Sequence, residues 1–263
     1  MPKFFFNHSP LLQIVLSKNA DFFLSSSEFS TKISLSFFSM IIFGFGLCST
    51  SYAEPVLAIA GSQYNASSTY SYIGFVQPLK NAEIGSGWYK KIFASYLTYN
   101  YKDSASGTDI RASAPGIEGG FGHAWKTEKW NMDLSAALGY RHIGLSPFAP
   151  INDKNGNVIT LNPMLQARYR FNEKLDFDIL ATHSLGQSST YARERLGWTS
   201  SSGMRFGPEL IQAIGSNYHN SQYGVFAGIP LKNGTWFELS TGRSQARDGG
   251  SSAYIAIGLA KVF

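Results

Sequence analysis

The segment "WNMDLSAALGYR", Trp130 to Arg141, alternates along its whole length. Trp130, Met132, Leu134, Ala136, Leu138 and Tyr140 fall on one side, and Asn131, Asp133, Ser135, Gly139 and Arg141 on the other. A period of two sends successive side chains to opposite faces of a β-strand. The same pattern returns in "ITLNPMLQARYRF" from Ile159 and in "LDFDILATH" from Leu175. A chain built of such segments folds as sheet with one apolar and one polar face. Alternation predicts about twelve strands, near 56–64, 68–77, 87–100, 108–124, 130–142, 158–171, 174–186, 189–199, 204–214, 221–228, 233–243 and 252–263. Turn residues separate them at Lys126–Lys129, Asn172-Glu173, Lys232-Asn233-Gly234 and Asp248-Gly249-Gly250. The fold class is therefore all-β.

The first 53 residues read differently. Lys32 precedes "ISLSFFSMIIFGFGLCSTSYA", an apolar run that ends in Ser51-Tyr52-Ala53. A basic residue, an apolar core and small residues at the last and third-last positions describe a secretory signal, with cleavage expected after Ala53. The domain division is a preamble and signal over 1–53 and one β domain over 54–263. Cys48 is the chain's one cysteine and falls in the leader, so the mature protein has no disulfide or thiolate chemistry. Without the leader's three lysines and two acids, the 22 basic and 17 acidic residues leave a net charge of +4. No basic block stands out, and nucleic acid is not an expected partner.

Two architectures can use these strands. A soluble sandwich or barrel buries the apolar face, whereas a membrane barrel turns it to lipid and encloses the polar face. Three features favour a single antiparallel transmembrane barrel of outer-membrane type. Aromatics sit near strand ends, as at Trp130, Tyr140, Tyr169 and Phe171. The polar faces carry charges of both signs. The chain closes on Phe263 within the alternating "SSAYIAIGLAKVF", which resembles the C-terminal signal of outer-membrane barrels. The expected location is the Gram-negative outer membrane, with its lipid as one partner. Both termini then lie in the periplasm with the tight turns, and the longest loop, Ile143–Asn157, faces outward.

Strand parity assigns a set of charges to the lumen: Asp133, Arg141, Arg168, Arg170, Asp176, Asp178, Arg193, Arg195, Arg205, Glu209 and Glu238, with Glu118 and Gln166 beside them. Side chains of this number and size nearly fill the bore of twelve strands. Arg168 and Arg170 face Asp176 and Asp178 across one turn, so these carboxylates answer cations and form no metal site.

No catalytic, cofactor or metal residues are assigned. Outer-membrane phospholipases place a His and a Ser two apart on one lipid-facing strand. Here His183 and Ser184 are adjacent and point to opposite faces. His123, His142 and His219 are read as lacking a serine at the required spacing. A lipid-modifying hydrolase and a small general porin remain the alternatives to a non-enzymatic accessory role.

"MRFGPELIQAIGSNYHNSQYGVFAGIPL", followed by "GTWFELSTGRSQ", carries a resemblance. Its Gly-Pro-Glu strand, Asn-Tyr turn and following Tyr-Gly strand resemble the BcsS family of bacterial cellulose biosynthesis. The early "SSTYSYIGFVQPL" is similar to that family's opening. The resemblance implies an accessory role in exopolysaccharide production or export, with cellulose, another glucan or secretion components as partners. For such a glucan, Tyr70, Tyr72, Tyr96, Tyr191 and Trp198 are the candidate rings for stacking on sugar faces. It brings no catalytic residues.

Overall fold

The computed structural model describes residues 54–102, 107–147, 155–215, 218–246 and 250–263. The leader expected over 1–53 lies outside them. Twelve strands follow one another: β1 (Leu57–Asn65), β2 (Ser68–Pro78), β3 (Gly87–Lys102), β4 (Asp109–Lys126), β5 (Trp130–Ser146) and β6 (Gly156–Arg170), then β7 (Leu175–Ser184), β8 (Ser189–Thr199), β9 (Arg205–Ile214), β10 (His219–Pro230), β11 (Thr235–Ala246) and β12 (Ser251–Val262). Each pairs antiparallel with its sequence neighbours. β1 and β12 close the barrel from Leu57↔Val262 to Asn65↔Tyr254. Closure matters because an open edge would leave backbone N–H and C=O groups unpaired in hydrocarbon.

The predicted strands recur in order, and the differences gather at one end. β5 runs on to Ser146 and β6 begins at Gly156, so the loop expected over 143–157 is shorter. Ile143 pairs with Gly156 and is 4% exposed, which extends the ladder beyond the apparent end of the alternation. About ten residues suffice for a tilted strand to cross a bilayer. β7, β8 and β9, with 10, 11 and 10 residues, meet that length, while β3 to β6 have 15 to 18 and exceed it.

The outer surface is apolar: Leu138 is 67% exposed and Ile159 75%. Two aromatic belts bound it. Outward Trp88, Trp125, Trp130 and Trp198 mark the end where β1 begins and β12 finishes, the turn end, whose connections have three to five residues except for the eight between β2 and β3. Outward Tyr64, Tyr96, Tyr140 and Tyr223 mark the opposite end, the loop end, which carries the six-residue β3–β4 and nine-residue β5–β6 connections beside four shorter ones. Lys261 lies on the outer face beside the turn end, its Nζ 4.5 Å from the Phe263 ring. At the turn end Asn172 Oδ1 accepts from the backbone N–H of Lys174 and of Leu175, 2.9 Å each, which fixes the β6–β7 reversal.

The Gly207-Pro208-Glu209 triplet acquires a structural meaning in β9. A Cβ on Gly207 would stand 1.9 Å from the carbonyl oxygen of Leu196, so only glycine permits this approach of β8 and β9. Pro208 has no N–H to give the ladder. The β8–β9 register passes from Arg195↔Glu209 to Trp198↔Phe206 across this point. Glu209 then faces inward.

Candidate functional site

Every charged residue assigned to the lumen by parity stands on the inner face, and the charges divide into two groups. The first is held by β6 to β11. Arg195, 3% exposed, pairs with Glu209 and reaches Glu238 at 2.8 Å and Ser240 at 3.1 Å. Glu209 also accepts from the Tyr254 hydroxyl at 3.0 Å. Arg205 binds both Asp176 and Asp178. Arg168 stands further from the same carboxylates, at 3.9 and 4.0 Å, and Arg193 is 3.9 Å from Glu238. The Phe226 ring lies near two guanidinium groups, 4.5 Å from Arg195 Cζ and 4.8 Å from Arg205 Cζ, so cation–π attraction adds to the ion pairs.

The second group belongs to β3 to β6. The Tyr89 hydroxyl donates to Asp133 at 2.5 Å, Lys91 Nζ to Ser135 at 2.9 Å, Arg141 to Ser95 at 3.0 Å and Asn162 to Glu118 at 2.6 Å. Arg170 points to the turn end, where Nη1 meets the Glu128 carbonyl at 3.4 Å. There Arg168, Arg170, Asp176, Arg205 and Trp236 line a hollow of about 270 Å³.

Sequence parity did not select Tyr89, Lys91, Phe226, Trp236 or Tyr254. Lys90 and Lys91 are adjacent, and β3 carries aromatics on both faces, so its polar side is hidden. Tyr254 is 1% exposed and lies flat against the wall. Its ring lies over Gly242, where an added Cβ would stand 2.7 Å from a ring carbon, and its hydroxyl over Gly224, where a Cβ would stand 2.5 Å from the tyrosine oxygen.

Toward the loop end the inner wall becomes tyrosine-rich. Tyr70 and Tyr72 face inward with ring centroids 5.8 Å apart. Tyr99 and Tyr101 stack at 5.9 Å with planes 28° apart. Tyr191 faces inward from β8, and Tyr218 precedes β10 at the rim. Burial raises the Tyr218 phenol above its ordinary pKa, opposed by a hydrogen bond with Ser189. Two buried polar atoms of the inner face have no hydrogen-bond partner among the described residues: Arg193 Nε, a donor two residues from Tyr191, and Asn162 Oδ1, an acceptor on β6.

Two candidate stacking rings do not join this group. Tyr96 follows inward Ser95 on β3 and points outward, 49% exposed; Trp198 follows inward Gly197 on β8 and does the same. Both belong to the aromatic belts, because adjacent residues of a regular strand cannot share a face.

The histidine reading needs a correction. His219 does have a serine two residues on, Ser221, and both face outward at the loop end of β10. Gln212 Oε1 lies 3.1 Å from His219 Nε2 and accepts from Ser221 Oγ at 2.9 Å, while Ser221 Oγ is 3.5 Å from His219 Nε2. The hydroxyl hydrogen is therefore directed at the amide oxygen, which is no base, and away from imidazole. His183 Nδ1 is engaged with Thr190 Oγ1 at 2.9 Å, on the face opposite Ser184. Among the described residues no group of His, Cys, Asp and Glu is arranged to hold a metal ion.

A family model described as cellulose biosynthesis protein BcsS matches residues 57–263, the extent of the barrel. No curated protein matches the sequence. Solved structures share the fold. An outer membrane channel from Pseudomonas putida F1 is 10% identical, with TM-score 0.53 over 83% of this chain and 98% of its own. The β domain of the Bordetella autotransporter BrkA is 12% identical, with TM-score 0.52 over 80% and 99%. At such identities the likeness establishes an outer-membrane barrel fold and nothing finer.

Proposed function

The chain belongs to the cellulose biosynthesis protein BcsS family, and from that premise we propose that it is a non-enzymatic outer-membrane accessory of cellulose production. Residues 1–53 are its preamble and removed signal, and 54–263 the working barrel. The turn end faces the periplasm and the loop end faces outward. The barrel holds a glucan segment at its outer, tyrosine-lined half, while the ion network below seals the bore. Its partners are outer-membrane lipid, glucan and the cellulose-secretion machinery.

One observation carries this reading. Tyr70, Tyr72 and Tyr191 turn their rings to the interior, and on the face of Tyr191, two residues along β8, stands an unpartnered donor, Arg193 Nε. Sugars present apolar faces that stack on such rings and hydroxyl groups that both donate and accept. The buried Arg195–Glu209 and Arg205–Asp176–Asp178 pairs below support retention of a chain over free passage. Titration of the purified barrel with cello-oligosaccharides tests it. Tyr72→Ala and Tyr191→Ala should each weaken binding by about 2- to 10-fold, the range of one aromatic contact. Tyr96→Ala and Trp198→Ala should change nothing. Absence of saturable binding, or equal losses from outward rings, refutes the site.

Acyl-ester hydrolysis at the lipid face is the second reading, supported by the His219–Ser221 spacing. The direction of the Ser221 hydroxyl toward Gln212 speaks against it.

A further inference from the structure

Glu194 occupies a place on β8 that a lipid-facing strand does not ordinarily give to a charged residue. Its neighbours Arg193 and Arg195 face inward, so Glu194 faces outward, and it is exposed. It is the central residue of Ser189–Thr199. Trp198, in the aromatic belt, is four residues toward the turn end, and Thr190 is four toward the loop end. Four residues at about 3.3 Å each, on a strand tilted by about 40°, place Glu194 about 10 Å from either level. That is the middle of the apolar band.

No group among the described residues answers this carboxyl. Glu194 has no hydrogen bond or ion pair among the described residues. Directly across the ladder lie Ile179 on β7 and Leu210 on β9. Other outward charges are near the belts: Lys90 is two residues from Trp88, Lys261 two from Phe263, and Arg243 opposite Tyr223. Long stems at those positions reach the headgroups; a glutamate at mid-depth does not.

The surrounding face departs from the rest of the barrel in two more ways. Between Tyr140 on β5 and Tyr223 on β10, four strands contribute no tyrosine to the belt at the loop end. Hydrogen-bonded His183–Thr190 and Gln212–Ser221 stand there instead. Small or flat outward residues, Ala181, Ala192 and Pro208, flank Glu194 and allow close approach of another backbone.

We propose that the outer face of β7 to β9 is the interface with a second copy of this chain, joined at Glu194 across a two-fold axis along the membrane normal. All copies insert in one orientation. A two-fold along the normal therefore brings each residue to a residue at its own depth. No outward cation of this chain lies at the depth of Glu194 among the described residues. The polar group guaranteed to be there is the other Glu194. In an apolar medium two carboxyl side chains are accommodated by hydrogen bonding to one another, and polar residues at mid-membrane are placed against partners in the same way. The contact goes beyond the glucan-holding role and does not depend on it.

The test is the copy number of the full protein, purified from membranes and reconstituted into lipid nanodiscs, measured by light scattering. The wild type should give twice the chain mass. Glu194→Gln keeps reciprocal hydrogen bonding and should remain paired, while Glu194→Leu should give the single mass. The heat-dependent gel shift of Glu194→Leu checks that its barrel is folded. In a Cys48→Ser background, Ala192→Cys should cross-link between copies on oxidation, and Leu138→Cys, on a distant face, should not. A single mass for the wild type at every protein-to-lipid ratio overturns the proposal, including the case in which Glu194 meets a different protein. So does a folded Glu194→Leu that stays paired, or cross-linking at Leu138→Cys equal to that at Ala192→Cys.

Discussion

Removing the Glu209 carboxylate should destabilise the barrel by about 2–4 kcal/mol. Glu209 and Arg195 have side chains almost sealed from solvent, 0% and 3% exposed, so their attraction is little screened. Glu209→Ala deletes the ion pair and the acceptor of the Tyr254 hydroxyl. Breaking a buried pair by removing one partner costs about 3–5 kcal/mol, because the other charge is left uncompensated. Glu238, 2.8 Å from Arg195 Nη1, keeps part of that compensation and lowers the expectation. Glu209→Gln retains an acceptor oxygen and should lose less, about 1–2 kcal/mol. The sharper test is the double change Arg195→Met with Glu209→Leu. It removes both charges and should fall within about 1–2 kcal/mol of the wild type. Urea unfolding in detergent micelles or vesicles, followed by tryptophan fluorescence, measures these variants and the single changes Arg195→Met and Glu209→Leu. An unchanged Glu209→Ala, or a double variant whose loss equals the sum of the singles, would show that the pair is solvated and would remove the sealed network.

Gly224→Ala should cost about 2–3 kcal/mol in the same assay, since its Cβ would meet the Thr241 carbonyl oxygen at 2.2 Å and the Tyr254 oxygen at 2.5 Å. In planar bilayers the wild type should conduct weakly, and replacing both Arg195 and Glu209 by serine should raise the conductance several-fold; a large wild-type pore would contradict the filled lumen. Wild type, His219→Ala and Ser221→Ala should all release no fatty acid from phospholipid vesicles. Release that is abolished in either variant would instead establish the lipid-face hydrolase.

Much of the barrel is written locally. Alternation is a property of neighbouring residues, and a membrane barrel needs it on every strand, so "WNMDLSAALGYR" reveals both its faces without a partner. The lumen charges follow from the same parity, which is why Arg195, Glu209 and Asp178 could be assigned to one face together. Parity breaks down where both faces are aromatic, as on β3, and Tyr89 and Lys91 were hidden there. Strand ends beyond the bilayer were also obscure: Ile143 remains in the ladder because Gly156 of the next strand pairs with it.

Register is the part only the tertiary structure decides. Which acid meets which base depends on how far each strand slides against the next, a quantity set by the closed ladder and by no local segment. It brings Tyr254 of β12 to Glu209 of β9 and places two guanidinium groups beside Phe226. It also aligns Gln212 of β9 with Ser221 of β10. Depth is decided in the same way. The sequence shows Glu194 as one acid among strand residues, and only the closed barrel, with its two aromatic belts, puts it in the middle of the membrane, where a charge needs a partner.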